Sequence, residues 1–345
     1  AALRGEKALA RAVLAQAVGA ARLHAATRGT LAGMASRAEQ HEPAEKLYRA
    51  CLEAGDLGEM ETEAYAGLLG VLQALHKNEA VVALAKQGLG KAKKTPAILF
   101  HRALAYALLN LDRMKEALAA AEAAVAEAKG EQALGSRKLK AYVLGEMGRA
   151  EDAVEECRAM AKDYNAGAGL REARLALSRA LQAAGRHDES EKELEKALES
   201  DPADATLCND LGYGYADRGK KLEEAERLIR KAMELDKKQR AGGTFLDAEA
   251  SEDNAAYVDS LGWALFKRGK LEEARKELER ASRLPGGDDP VMWDHLGDVL
   301  RKLGKKAEAA AAWKRAAALY EAGARRKSEE RHKALKEKLR QATPR

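Results

Sequence analysis

A small residue returns along this chain at near-constant spacing: Ala44, Ala80, Ala117, Ala153, Ser190, Ala225, Ala274 and Ala309. The steps are 36, 37, 36, 37, 35, 49 and 35 residues. A period in that range marks one supersecondary unit copied many times, and it bears on the fold before any local propensity does. Such a unit cannot bury its own apolar face, so it is stable only against its neighbours. The 345 residues are therefore read as one elongated array, not as the two domains that length alone would suggest. The single long step points to an insertion at about 237–253, where Gly242-Gly243 reads as a loop and a hinge is expected.

Composition says what the unit is made of. Hydrophobic residues make up 46% of the chain, but aromatics only 4%, and Ile occurs only at Ile98 and Ile229. β-branched and aromatic residues are what fill sheets, so sandwich, barrel and doubly wound folds are excluded. Ala, Leu, Glu, Lys and Arg dominate, as they do where helices pack on helices. No apolar run reaches the roughly 18–20 residues that a membrane span needs.

Three segments align directly. Residues 208–219 read CNDLGYGYADRG, 258–269 read VDSLGWALFKRG, and 293–304 read WDHLGDVLRKLG. Each has Leu-Gly, a large residue three after that Gly (Tyr215, Leu265, Leu300), and a second Gly seven after it (Gly219, Gly269, Gly304). An Ala-rich amphipathic segment follows each time. Gly and Ala let two helices approach closely, while Trp, Leu and Phe fill the space between pairs. This pattern resembles the tetratricopeptide repeat, a helix–turn–helix unit of about 34 residues. The last copy keeps Trp293, Leu296, Gly297, Ala309, Trp313 and Ala316 in register, and Asp201-Pro202 closes an earlier one.

The resemblance implies an all-α, right-handed α-solenoid (a superhelix) of about eight hairpins. Residues 1–24 are expected as an N-terminal capping helix and 25–170 as divergent hairpins. Residues 171–322 are expected as well-matched repeats, and 323–345 as a basic C-terminal helix or tail. The strings DSLGW and LGYGYADRG look like those of bacterial repeat proteins, many of them exported. Cys51, Cys157 and Cys208 are odd in number and fall on packing positions, so they read as small buried hydrophobes and hint at a reducing compartment. The two hints oppose each other, and the compartment stays open between cytoplasm and export to a periplasm.

Catalysis finds no footing. The seven His are scattered, and no metalloprotease, nucleophile-elbow, phosphate-loop or dinucleotide motif occurs. The chain is expected to be non-enzymatic, without cofactor, metal or small-molecule substrate, and to bind a protein or peptide. In proteins that this one resembles, a stripe on the first helix of each hairpin lines a concave groove. Its positions here are Lys138, Tyr142 and Gly145; Leu175, Arg179 and Gln182; Asn209, Tyr213 and Ala216; Asp259, Trp263 and Phe266; and Asp294, Asp298 and Arg301. Asp210 and Asp217 flank the third set, and Arg102 and Tyr106 hold equivalent slots upstream. Tyr213, Trp263 and Phe266 lie off a core stripe that already has its residues, so they are expected at the surface as anchors. With five Asp nearby, the groove over 205–302 would be acidic and aromatic and would suit a basic segment. The competing reading is that these rings pack against the next hairpin or the 237–253 loop. The Lys/Asn pairing with which some members clamp a terminal carboxylate is not evident here.

The net charge of +5 is unevenly spread. Residues 325–345 carry nine Lys or Arg and three Glu, which leaves the body at −1. Arg325, Arg326, Lys327, Arg331, Lys333, Lys336, Lys338 and Arg340 could serve a polyanion by counterion release. Nucleic acid is disfavoured, because the body is not basic and no aromatic is interleaved with these charges. The tail could instead cap the array, with pairs such as Glu329–Lys333. It could also fold back onto the acidic groove of its own or a neighbouring chain, which would allow self-association.

Overall fold

The computed structural model describes residues 23–54, 57–241, 253–322 and 329–342. These form seventeen α-helices and one short 3₁₀ helix (Gly58–Met60), with no strand among the described residues. The fold is an all-α helical-repeat solenoid. The capping helix expected at 1–24 lies outside the described residues up to position 22.

The chain divides into two compact units, 1–147 and 148–345. The division falls inside the segment read as 25–170, and it does not fall at the 237–253 insertion where a hinge was expected. Unit 1 holds three hairpins and a further helix: α1 (Ala25–Arg37) with α2 (His41–Glu53), α3 (Glu61–Ala74) with α4 (Asn78–Lys91), α5 (Ala97–Asn110) with α6 (Met114–Glu127), then α7 (Glu131–Glu146). Unit 2 opens with α8 (Ala150–Asp163). Four hairpins follow: α9 (Gly167–Ala183) with α10 (His187–Ser200), α11 (Ala205–Asp217) with α12 (Leu222–Ala241), α13 (Ala255–Lys267) with α14 (Leu271–Ala281), and α15 (Pro290–Lys302) with α16 (Lys306–Glu321). The basic helix α17 (Glu329–Ala342) ends the unit. Each unit has its own apolar core, one running from Ala32 to Val143 and the other from Leu175 to Leu335.

The ladder of small residues marks the second helix of each hairpin, with one correction. Ala44, Ala117, Ala153, Ala225, Ala274 and Ala309 are fully buried, but Ala80 is not; Val81 takes that slot. The turn geometry gives the reason. The turns of these hairpins have a residue at positive φ, and the ladder residue follows it by five in Glu39–Ala44, His76–Val81 and Asp112–Ala117; only the α11–α12 turn has two such residues, Gly219 and Lys221. An Ala-rich chain hides a one-residue shift because both neighbours look alike. Ser190, the odd member, also has a cause. Its hydroxyl lies 2.8 Å from that of Ser178 on the partner helix, so the two small-residue slots of that hairpin face each other through a buried hydrogen bond.

In α11, α13 and α15 the Leu-Gly glycines sit where the hairpin's two helices touch. A Cβ on Gly212 would meet Ile229 at 2.8 Å, one on Gly262 would meet Leu278 at 2.6 Å, and one on Gly297 would collide with the Trp313 indole. The same three helices begin with capping side chains that accept backbone N–H bonds: Asp204 from Leu207 at 3.0 Å, Asn254 from Ala256 at 3.0 Å and Asp289 from Val291 at 2.7 Å. At the insertion, α12 continues to Ala241 rather than giving way to a loop at 237, helped by an Arg240–Asp236 ion pair one turn apart. Gly242-Gly243 lies outside the described residues.

Candidate functional site

The first-helix stripe can now be followed through unit 2. On α9 and α11, Arg179 reaches Asp210 at 3.5 Å, and the Asn209 amide donates to Asp210 at 3.3 Å. Burial pushes the Asp210 carboxyl above its ordinary pKa, and the nearby Arg179 offsets this only in part. Asn209 is buried, and its side-chain oxygen has no hydrogen-bond partner among the described residues.

Trp263 corrects the expectation of an exposed anchor, because only 8% of it is accessible. Its indole N–H donates to Asp217 of α11 at 3.1 Å. Its face stacks on the His295 ring of α15, with centroids 4.2 Å apart and planes at 17°. Lys267 lies 4.8 Å above the same indole and donates to the Asp217 carbonyl at 2.8 Å. Asp259 is also buried, and its carboxylate meets His295 Nδ1 at 3.0 and 3.1 Å. Both expectations failed for one reason: the first helices of consecutive hairpins cover one another. Trp263 and Asp259, off their own hairpin's core stripe, are buried between α11 and α15 of the hairpins on either side. Tyr213 and Phe266 are half-buried, with rings 6.4 Å from His295 and 5.2 Å from Trp263.

His295 is the residue that sequence reading missed. Its signal was present in the alignment: the position two before each Leu-Gly glycine is Asp210, Ser260 or His295, polar where a core residue would be expected. Burial alone would lower the His295 pKa, but Asp259, with Asp294 and Asp298, outweighs it and holds the ring above its ordinary value. The pair is not a catalytic triad. The neighbouring Ser260 hydroxyl donates to the Ala256 carbonyl at 2.9 Å, and no nucleophile sits on the imidazole among the described residues. Nor does any group of three or more His, Cys, Asp or Glu there form a metal-binding set.

At the far end of the stripe, Lys338 of α17 lies between Asp294 and Asp298, 2.7 Å from each. It also stands 5.9 Å from the Trp313 ring, while Leu335 is buried beside it. Burial works against the charge on Lys338, but Asp298 and Asp294 more than offset it and raise its pKa. Of the three readings of the tail, fold-back onto the chain's own acidic stripe describes Lys338. Lys333, Lys336 and Arg340 stay exposed, the last paired with Glu337 at 3.0 Å, and Arg301 of α15 is exposed as well. Arg325, Arg326, Lys327 and the side chains of Glu329 and Arg331 lie outside what is described.

Among the described residues the exposed rings are in unit 1. Tyr106 of α5 is 41% accessible and Tyr142 of α7 is 48% accessible, with Arg102 and Lys138 one turn before them. Cys51, Cys157 and Cys208 are buried, as their packing positions imply.

Residues 172–204, which span α9 and α10, match the family model of the tetratricopeptide repeat. Over 127 residues the chain is 33% identical to a TPR repeat-containing protein of Pseudomonas aeruginosa; the match covers 36% of this chain and 18% of that protein. A crystal structure of a tetratricopeptide repeat protein from Parabacteroides merdae superposes with a TM-score of 0.57 at 15% identity, over 80% of this chain and 98% of that one. The APC/C hetero-tetramer Cut9–Hcn1 superposes with a TM-score of 0.51 at 14% identity, over 88% of this chain and 53% of that one. Among the described residues no helix is long and apolar enough to cross a membrane. With a direct match at α9–α10, and the turn and ladder geometry repeated in the hairpins on either side, residues 172–204 carry a tetratricopeptide repeat and the chain has the helical-repeat fold of tetratricopeptide repeat structures.

Proposed function

We propose that this chain is a non-enzymatic scaffold and holds a basic amphipathic segment of a partner polypeptide on the acid–aromatic stripe of unit 2, over residues 205–302. The observation that carries the reading is the chain's own α17. A helix with Leu335 and Leu339 on one face sets Lys338 between Asp294 and Asp298, so the stripe already accepts a segment of this chemistry. A partner would meet the accessible Asp217 carboxylate, the Tyr213 and Phe266 rings and the Asp294–Asp298 pair, with cation–π and charge complementarity supplying the attraction. Trp263, Asp259 and His295 have a different part: they fix the shape of that surface from beneath.

The reading is tested with a fluorescein-labelled peptide of residues 329–345 titrated onto the full-length chain. Lys338→Ala loosens the internal helix and should tighten binding, whereas the Asp294→Lys/Asp298→Lys double variant should abolish it. Binding that ignores both carboxylates, or no binding to Lys338→Ala, would contradict the proposal.

A further inference from the structure

His295 is buried, yet it directly follows Asp294 and stands one helical turn before Asp298, the two carboxylates that hold Lys338. Its Nδ1 lies 3.0 and 3.1 Å from the oxygens of the buried Asp259, and the Trp263 indole closes its face. Three acids and two bases therefore share one cluster: Asp259 of α13, Asp294 and Asp298 of α15, with His295 of α15 and Lys338 of α17. The other titratable groups on this side are Tyr213 and Asp217 of α11 and Lys267 of α13; Lys267 and the indole both engage Asp217. The buried residues of α14 and α16 are Ala, Leu, Trp and Tyr, so those helices add no buried charge. Both bases draw on the same acids: Asp294 and Asp298 favour the protonated ring, and they favour the charge on Lys338 too. Two cations held by one set of acids oppose each other. A neutral imidazole that keeps its proton on Nδ1 still donates to Asp259, so the packing survives deprotonation while the cluster becomes more negative by one charge.

We propose that His295 and the cation seated on Asp294 and Asp298 are linked through their charges: unit 2 holds its basic helix weakly while the imidazole is protonated and tightly once it is neutral. By reciprocity, the seated cation makes the imidazole proton easier to lose. The change falls at a pH above histidine's ordinary 6.5, because the surrounding acids hold the ring protonated. This equilibrium is separate from unfolding. Rising pH removes what the Asp259–His295 pair contributes to the fold, yet it strengthens the docked state of α17 over the released one. Protonation of Asp298 at lower pH would loosen Lys338 in the same direction, so the two steps have to be told apart. Because the occupant is α17 itself, the linkage holds whether or not a partner uses the stripe.

The test is an NMR titration of the His295 ring in the full-length chain, with the signal assigned through its contact with Trp263. Lys338→Met keeps the apolar stem and removes only the charge. It should raise the His295 midpoint by about 0.7 pH unit, a fivefold linkage. Hydrogen–deuterium exchange, corrected for the intrinsic effect of pH on exchange, should show protection of α17 rising through the wild-type midpoint. In His295→Gln that step should vanish and α17 should stay protected at the high-pH level, while Asp259→Asn should move the step to lower pH. A His295 midpoint that ignores Lys338→Met overturns the linkage. So does a protection step that persists unchanged in His295→Gln, which would belong to Asp298. Should His295→Gln disturb the fold, the wild-type and Lys338→Met titrations decide alone.

Discussion

The two units build the same hairpin with different residues. In unit 2 the turns of α9–α10, α13–α14 and α15–α16 place glycine at positive φ, at Gly185, Gly269 and Gly304; in unit 1 the corresponding turns place Glu39, His76 and Asp112 there. Unit 2 puts glycine where a hairpin's own two helices touch. Unit 1 has Ala32, Leu69 and Ala105 at that point and spends its helical glycines elsewhere: Gly67 leaves room for the Tyr48 ring and Gly88 for the Phe100 ring, each from a neighbouring hairpin. Backbone room is needed in both units, but within the hairpin in one and between hairpins in the other. The family pattern is written in the first arrangement, so the resemblance is specific from about residue 171 and faint before it.

The largest effect that can break this comparison lies in unit 2. Trp263→Ala should destabilise that unit by about 3–5 kcal/mol, because it opens a cavity between α11, α13 and α15 and removes the ring that stacks on His295. Thermal unfolding that loses only what a surface substitution loses would return Trp263 to the role of an exposed anchor. Next come the glycines. Gly67→Ala and Gly297→Ala each drive a methyl into a ring and should cost about 1–3 kcal/mol. Gly214→Ala, in α11 with nothing within 4 Å, should gain about 0.5–1 kcal/mol. Denaturant midpoints of the three variants decide it, and similar losses at all three sites would show that room for side chains is not what these glycines provide.

The turns offer a smaller and sharper test. A side chain at positive φ costs roughly 1–2 kcal/mol, so His76→Gly should stabilise unit 1 by up to about that amount and Gly269→Ala should cost unit 2 about the same. The smallest expected effect is one of pH. His295 has a folded pKa above its ordinary 6.5. Its contribution is therefore complete below that value and is lost as pH rises through the folded pKa. The melting temperature of unit 2 should fall as pH climbs from 6 through that range, and Asp259→Asn should flatten the slope. A slope unchanged by Asp259→Asn would remove the ion pair from the account.

The helices and their pairing were legible in the sequence because period and spacing survive where motif residues do not. The ladder gave seven of eight slots; Val81 escaped because Ala80 offered itself one residue early. The site was less legible. Counting the stripes of one helix treats Trp263 as off the core, yet its cover comes from Asp217, 46 positions before it, and His295, 32 after. Burial between hairpins depends on contacts that no single-helix pattern contains. The tail is the converse case: composition gave its charge, but only the packing of Leu335 and Lys338 shows where that charge rests.

The central claim is that partners are held by the first helices of the hairpins, on the stripe that α17 already touches. Hydrogen–deuterium exchange on the full-length chain, with and without a partner captured from native lysate, tests it most directly. The account predicts new protection on α11, α13 and α15, with α17 losing protection as its place is taken. Protection confined to the second helices α10, α12 and α14, with α17 unchanged, would contradict it.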